Sequence, residues 1–145
     1  MAPHDDLDRF VAAQDAGGTY GRALAELRAG RKTSHWMWFV FPQIAGLGRS
    51  STAQRYAIAG LDEARAYLAH PVLGPRLRES SQALLAHAGA LSATDVLGGI
   101  DALKLRSSMT LFSRAATTDD GDVFRAVLAA FCGGEEDPET LSRLG

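Results

Sequence analysis

The chain has 145 residues, a length at which one core can remove roughly two thirds of the unfolded surface from water. Apolar residues make up 46% and charged residues 22%. The net charge is −2, with acids outnumbering bases 17 to 15, so a surface built to grip duplex nucleic acid through many phosphates is excluded. The single cysteine, Cys132, excludes an internal disulfide and a multi-cysteine zinc site.

The start, Met1-Ala2-Pro3-His4-Asp5-Asp6, has neither a basic region nor an apolar stretch and reads as no signal peptide. The longest apolar run, Trp36 to Phe41, is too short to span a bilayer, and a cytoplasmic protein is expected. Asp5 or Asp6 is placed to cap a first helix bearing Leu7, Phe10 and Val11, which Gly17-Gly18 interrupts. Tyr20, Ala23, Leu24 and Leu27 fall at i, i+3, i+4 and i+7, and Gly30 is a natural stop for this second helix. The run 36–41 is short and aromatic. Periodicity alone admits a buried strand, but a cap at Thr33 or Ser34 and the lack of a partner strand favour a short helix.

Ser51-Thr52-Ala53-Gln54 has the capping-box pattern for a helix carrying Tyr56. Leu61, Ala64 and Leu68 mark another helix ending at His70-Pro71. Pro71 suits the first turn of a longer one bearing Leu73, Leu77 and Leu84, with Gly89 beyond its end. Ser92-Ala93-Thr94-Asp95 repeats the box. Asp101 is expected to cap a helix with Leu105, Ser108, Met109 and Phe112. Asp122 is expected to cap one with Phe124, Val127, Leu128 and Phe131, after which Asp137-Pro138-Glu139 opens the last. Cys132 follows as a small hydrophobe at a helix end. The expectation is all-α: one helical domain over residues 1–145, a bundle of about eight to ten short helices.

Three stretches hold residues that a plain core does not explain. In Ser34 to Gln43, six consecutive apolar side chains cannot all face one core, so some line a second surface or further core. Trp36 and Trp38 are candidate pocket walls, with His35 and Gln43 at the rim and His35 available for proton transfer. Gly46-Leu47-Gly48-Arg49 precedes a helix start. There, close backbone approach and a forked cation suit a phosphate, although a turn with an N-cap explains the same residues. This turn is neither a Walker loop nor a dinucleotide fingerprint. On the Asp101 helix, Lys104 and Ser107 border the buried stripe and Ser108 lies inside it. A partly desolvated lysine there binds an anion or serves as an acid or base, whereas small hydroxyls also simply let another helix come close. Tyr56 is a further candidate wall. No metal-ligand spacing and no cofactor motif appears.

These residues carry a resemblance. Asp6 to Gln14, Ser34 to Gln43, Gly46-Leu47-Gly48, Tyr56-Ala57-Ile58, Tyr67 to Gly74 and Lys104 to Phe112 together resemble the bacterial family called domain of unknown function 1810. The resemblance covers nearly the whole chain and implies a small, intracellular, mainly helical protein, with no activity to carry over. A remoter architectural analogy is to the small helical NADAR-type hydrolases, which act on ADP-ribose attached to bases; no motif supports it. The sequence thus points to a pocket for a small anionic, nucleotide-like ligand, with hydrolysis of an ADP-ribose-type N-glycosidic bond as the first reaction to consider. The competing class is a non-enzymatic module that docks a protein partner through residues 36–41. The residues select no oligomeric state. They place the His35–Gln43 and Lys104–Ser108 segments across one cleft.

Overall fold

The structure, a computed structural model, describes residues 7–144. The candidate caps Asp5 and Asp6, and the N-terminal residues read for targeting, lie outside them. Helix follows helix: α1 Asp8–Asp15, α2 Thr19–Ala29, α3 Met37–Val40, α4 Ser51–Arg55 and α5 Leu61–Ala69, then α6 Leu73–Leu85, α7 Ala93–Leu97, α8 Gly99–Ala115, α9 Asp122–Phe131 and α10 Pro138–Leu144. Apart from a parallel bridge between Ile44 and Ile58, no β-pairing occurs among the described residues. The fold is all-α.

Helix α8 is the axis, packed against α5, α7, α9 and α10, while α6 closes the far side against α2, α5 and α9. From Ser107 to Ser113 every residue of α8 is buried, as is Ala115. A helix hidden on all sides has no need of a single apolar stripe, which is why hydroxyl residues are tolerated here. The polar atoms of Ser107, Thr110 and Ser113 find partners at short range, while the Ser108 hydroxyl has none among the described residues. Thr110 Oγ1 donates to the Arg106 carbonyl at 2.8 Å and accepts from the Asp137 amide at 2.9 Å. The Ser107 and Thr140 hydroxyls meet at 2.8 Å, and Thr140 Oγ1 donates to Asp137 Oδ2 at 2.6 Å. This chain of hydroxyls docks α10 on α8.

Several caps behave as the sequence implies. Gly30 ends α2 in the left-handed region at φ 77°. Ser92 and Asp95 form a reciprocal capping box on α7, and Asp137 caps α10 by accepting from the Thr140 amide. Others differ. Ser50, one residue before the expected Ser51, caps α4 by accepting from the Ala53 amide. The His70 ring nitrogen, rather than Pro71, organises the start of α6 by accepting from the Val72 and Leu73 amides. Asp101 and Asp122 are not N-caps. Each lies in the first helical turn, behind Gly98 and Gly121 respectively, and turns its carboxylate to a cation.

The middle of the run 36–41 forms the short helix α3, flanked by Trp36 and Phe41, but neither Thr33 nor Ser34 caps it. Trp36, Met37, Val40 and Phe41 are buried in the core, and Trp38 and Phe39 are left half-buried.

Candidate functional site

The loop between α2 and α3 is held by one carboxylate. Glu26 Oε1 accepts from the Thr33 amide at 2.7 Å, the Ser34 amide at 2.9 Å and Trp36 Nε1 at 2.9 Å. Its Oε2 accepts from Ser34 Oγ at 2.6 Å. Partial burial alone would raise the Glu26 pKa, but the hydrogen bonds from Ser34, Thr33 and Trp36 outweigh it and hold the carboxyl down at about 2. The Lys32 amide donates to the Val96 carbonyl at 2.7 Å, tying the same loop to the end of α7. With both its ends fixed, the loop presents His35 outward and turns Lys32 inward.

The facing wall is the junction of α7 and α8. The Ser92 box opens α7 and Gly98 closes it at φ 86°, a conformation that favours glycine, before the chain re-enters helix at Gly99. A cleft of about 380 Å³ lies between the two walls. Lys32, His35 and Trp38 stand on one side, with Gly98, Asp101 and Lys104 on the other.

Asp101 organises the charge. Its Oδ2 lies 2.9 Å from Lys32 Nζ and its Oδ1 lies 3.2 Å from Lys104 Nζ. The Lys32 side chain is only 8% exposed, against 24% for Lys104. Each ammonium also sits over an indole, Lys32 at 5.2 Å from the Trp36 ring and Lys104 at 4.9 Å from the Trp38 ring. Two cations share one carboxylate, so this cluster keeps an excess positive charge at the N-terminal end of a 17-residue helix, the end whose dipole also favours anions.

The structure therefore brings His35, Trp38 and Lys104 to one cleft. Gln43, Gly48 and Ser107 line a neighbouring hollow that shares Lys104 and Ile100 with the cleft. The other candidates are elsewhere. Trp36 is 1% exposed, its ring in the core and its indole N–H engaged by Glu26. Tyr56 packs edge-on against Phe39 at 4.7 Å and Phe10 at 5.8 Å, lining neither cavity. Ser108 is fully buried. Gly46 lies beneath the Arg143 guanidinium. Arg49 is exposed and lines neither cavity, while its carbonyl accepts from Gln54 Nε2 at 3.1 Å. The glycine–arginine turn is thus a connection into α4, whose first turn is already capped by Ser50. Sequence reading missed Glu26 and Lys32 altogether and treated Asp101 mainly as a cap. Lys32 follows a helix stop and has no partner at helical spacing, so no local signal marks it.

Among the described residues no group of three or more His, Cys, Asp or Glu side chains is placed to hold a metal ion. No helix there is long and apolar enough to cross a membrane.

The α8-centred helical fold has known relatives. The model of the family described as protein of unknown function (DUF1810) matches residues 4–144, and the chain belongs to that family. It is similar to the conserved hypothetical protein Rv1873 from Mycobacterium tuberculosis, known from a crystal structure. The two are 50% identical, the match covers 99% of this chain and 98% of that one, and the TM-score is 0.90. No curated protein matches the chain.

Proposed function

We propose that the cleft between α3 and the start of α8 binds a small anionic, nucleotide-like ligand. The observation that carries this reading is the pairing of two lysines with one aspartate. Asp101 fixes Lys32 and Lys104 in place without cancelling both charges, so an anion entering beside Lys104 completes the cluster. Trp38 supplies a half-buried aromatic wall beside that charge. His35 is exposed at the mouth and is available for proton transfer. On this reading the reaction to test first is hydrolysis of an N-glycosidic bond in an ADP-ribose-type substrate. Water adds to the anomeric carbon and the departing base takes up a proton, a transfer this reading assigns to His35.

A second reading rests on a different observation. Ile100 is 75% exposed and Leu103 is 69% exposed, an apolar pair on α8 beside the cleft that a protein partner would cover. The aromatic run itself adds only Trp38 and Phe39 to such a surface, because its other members are buried.

Thermal denaturation against a panel of nucleotides and ADP-ribose separates the two. A ligand of the cleft raises the melting temperature with concentration by mass action. A flat response across the whole panel supports the partner-docking surface instead.

A further inference from the structure

Lys104 and Ile100 line both the cleft, of about 380 Å³, and the neighbouring hollow, of about 390 Å³, so the two cavities meet at these side chains. A single phosphate group would fill only a small part of that space, since cavities of a few hundred Å³ are the size that encloses whole organic ligands. The chemistry changes across the junction. The cleft side carries the Lys32–Asp101–Lys104 cluster. The hollow side carries Gln43, Asp137 and Glu139, with Leu47 and Leu103 as apolar walls. Asp137 Oδ2 is already engaged by the amide and hydroxyl of Thr140, and the Ser107 hydroxyl by that of Thr140. The Gln43 carboxamide, the Glu139 carboxylate and the second oxygen of Asp137 remain as lining groups with hydrogen-bonding capacity to offer a ligand.

Resting on the anion-site reading above, we infer that the hollow bounded by Gln43 and Glu139 is a sugar subsite, and that the ligand is an anion joined to a hydroxyl-bearing sugar lying across Lys104. A carboxylate accepts from sugar hydroxyls, and a carboxamide both donates to and accepts from them. An ammonium group would be the alternative partner for Glu139. It has donors alone, would leave the Gln43 N–H groups unmet, and would be placed beside the Lys104 charge. The apolar faces of Leu47, Ile100 and Leu103 suit the C–H face of a sugar ring.

The test titrates two probes, ADP and ADP-ribose, the second extended from its terminal phosphate by one further ribose. Both are titrated calorimetrically into the wild-type chain and into Lys104→Met, Glu139→Gln and Gln43→Ala. Glu139 is exposed and Gln43 half-buried, and melting curves verify that the variants fold. The expected pattern is a weakening of both probes in Lys104→Met. Glu139→Gln and Gln43→Ala instead lose roughly tenfold in ADP-ribose affinity with ADP unchanged. If both probes bind but the hollow variants leave ADP-ribose unaffected, or weaken both probes equally, the sugar subsite is overturned while the anion site stands. If neither probe binds the wild type, the anion-site reading falls and the subsite with it.

Discussion

Lys32 Nζ lies 2.9 Å from Asp101 Oδ2, joining the α2–α3 loop to the first turn of α8 across a wide gap in sequence. Lys104 meets the other oxygen of the same carboxylate at 3.2 Å. Removing either lysine leaves Asp101 with one partner, and removing both leaves a largely buried carboxylate unpaired. Lys104→Met is therefore expected to change stability by less than about 1 kcal/mol, and Lys32→Met, the more buried, to lose about 1–2 kcal/mol. The double variant is expected to lose about 3–5 kcal/mol, more than the sum. Urea denaturation of the four proteins reads this directly, and additive losses would contradict a shared carboxylate.

Glu26 makes the site sensitive to acid. Its carboxyl is held at about 2 in the folded chain, below the ordinary 4.5 of a free glutamate. A depressed folded value gives stability that is complete above the unfolded pKa and fades as pH falls from about 4.5 towards 2. Glu26→Gln is expected to lose about 1.5–3 kcal/mol at pH 7, the worth of a hydrogen bond to a charged group. The gap to wild type should narrow as pH is lowered towards 3. A gap that stays constant with pH in denaturant titrations would show that the carboxylate charge is not what holds the loop.

Ser108 tests the opposite case. Its hydroxyl is fully buried and has no hydrogen-bond partner among the described residues. Removing an unmatched buried hydroxyl relieves a desolvation penalty, so Ser108→Ala is expected to leave stability unchanged or raise it by about 1 kcal/mol. Ligand affinity should be unaffected, because Ser108 lines neither cavity. A loss of more than about 1 kcal/mol would mean that the hydroxyl is engaged after all.

Much of the fold was legible because local rules govern it. The Tyr20–Leu27 stripe, the Gly30 stop, the Ser92 box and the Asp137 cap all depend on residues within a turn or two of one another, where helical spacing reads directly. The misplacements have the same origin. Asp101 has the residue type and position of a cap, yet its partner Lys32 comes from another helix boundary, and no local rule weighs an ion pair formed at such distance. Trp36 and Trp38 are both amphipathic aromatics two residues apart. Trp36 is the one that enters the core, with its indole N–H met by Glu26, a partner ten residues away that helical spacing does not reveal. Arg49 and its glycines look like an anion turn from composition, but Ser50 already occupies the start of α4, and of Gly46, Gly48 and Arg49 only Gly48 borders the hollow. His35, Trp38 and Lys104, which the structure brings to one cleft, stand out in the sequence because polar and amphipathic groups beside apolar stripes are visible without a partner. Lys32 was missed because its role exists only in three dimensions.

The most direct measurement of the central claim pairs ligand titration with chemical denaturation of wild type and Lys104→Met. The methionine keeps the packing stem and removes the charge, while Lys32 continues to hold Asp101. The account predicts that a nucleotide or ADP-ribose binds the wild type. The variant should lose about 1.5–3 kcal/mol of binding free energy, roughly ten- to hundredfold in affinity, with stability nearly unchanged. Equal affinity in the two proteins, or a loss of stability with no loss of binding, would contradict it.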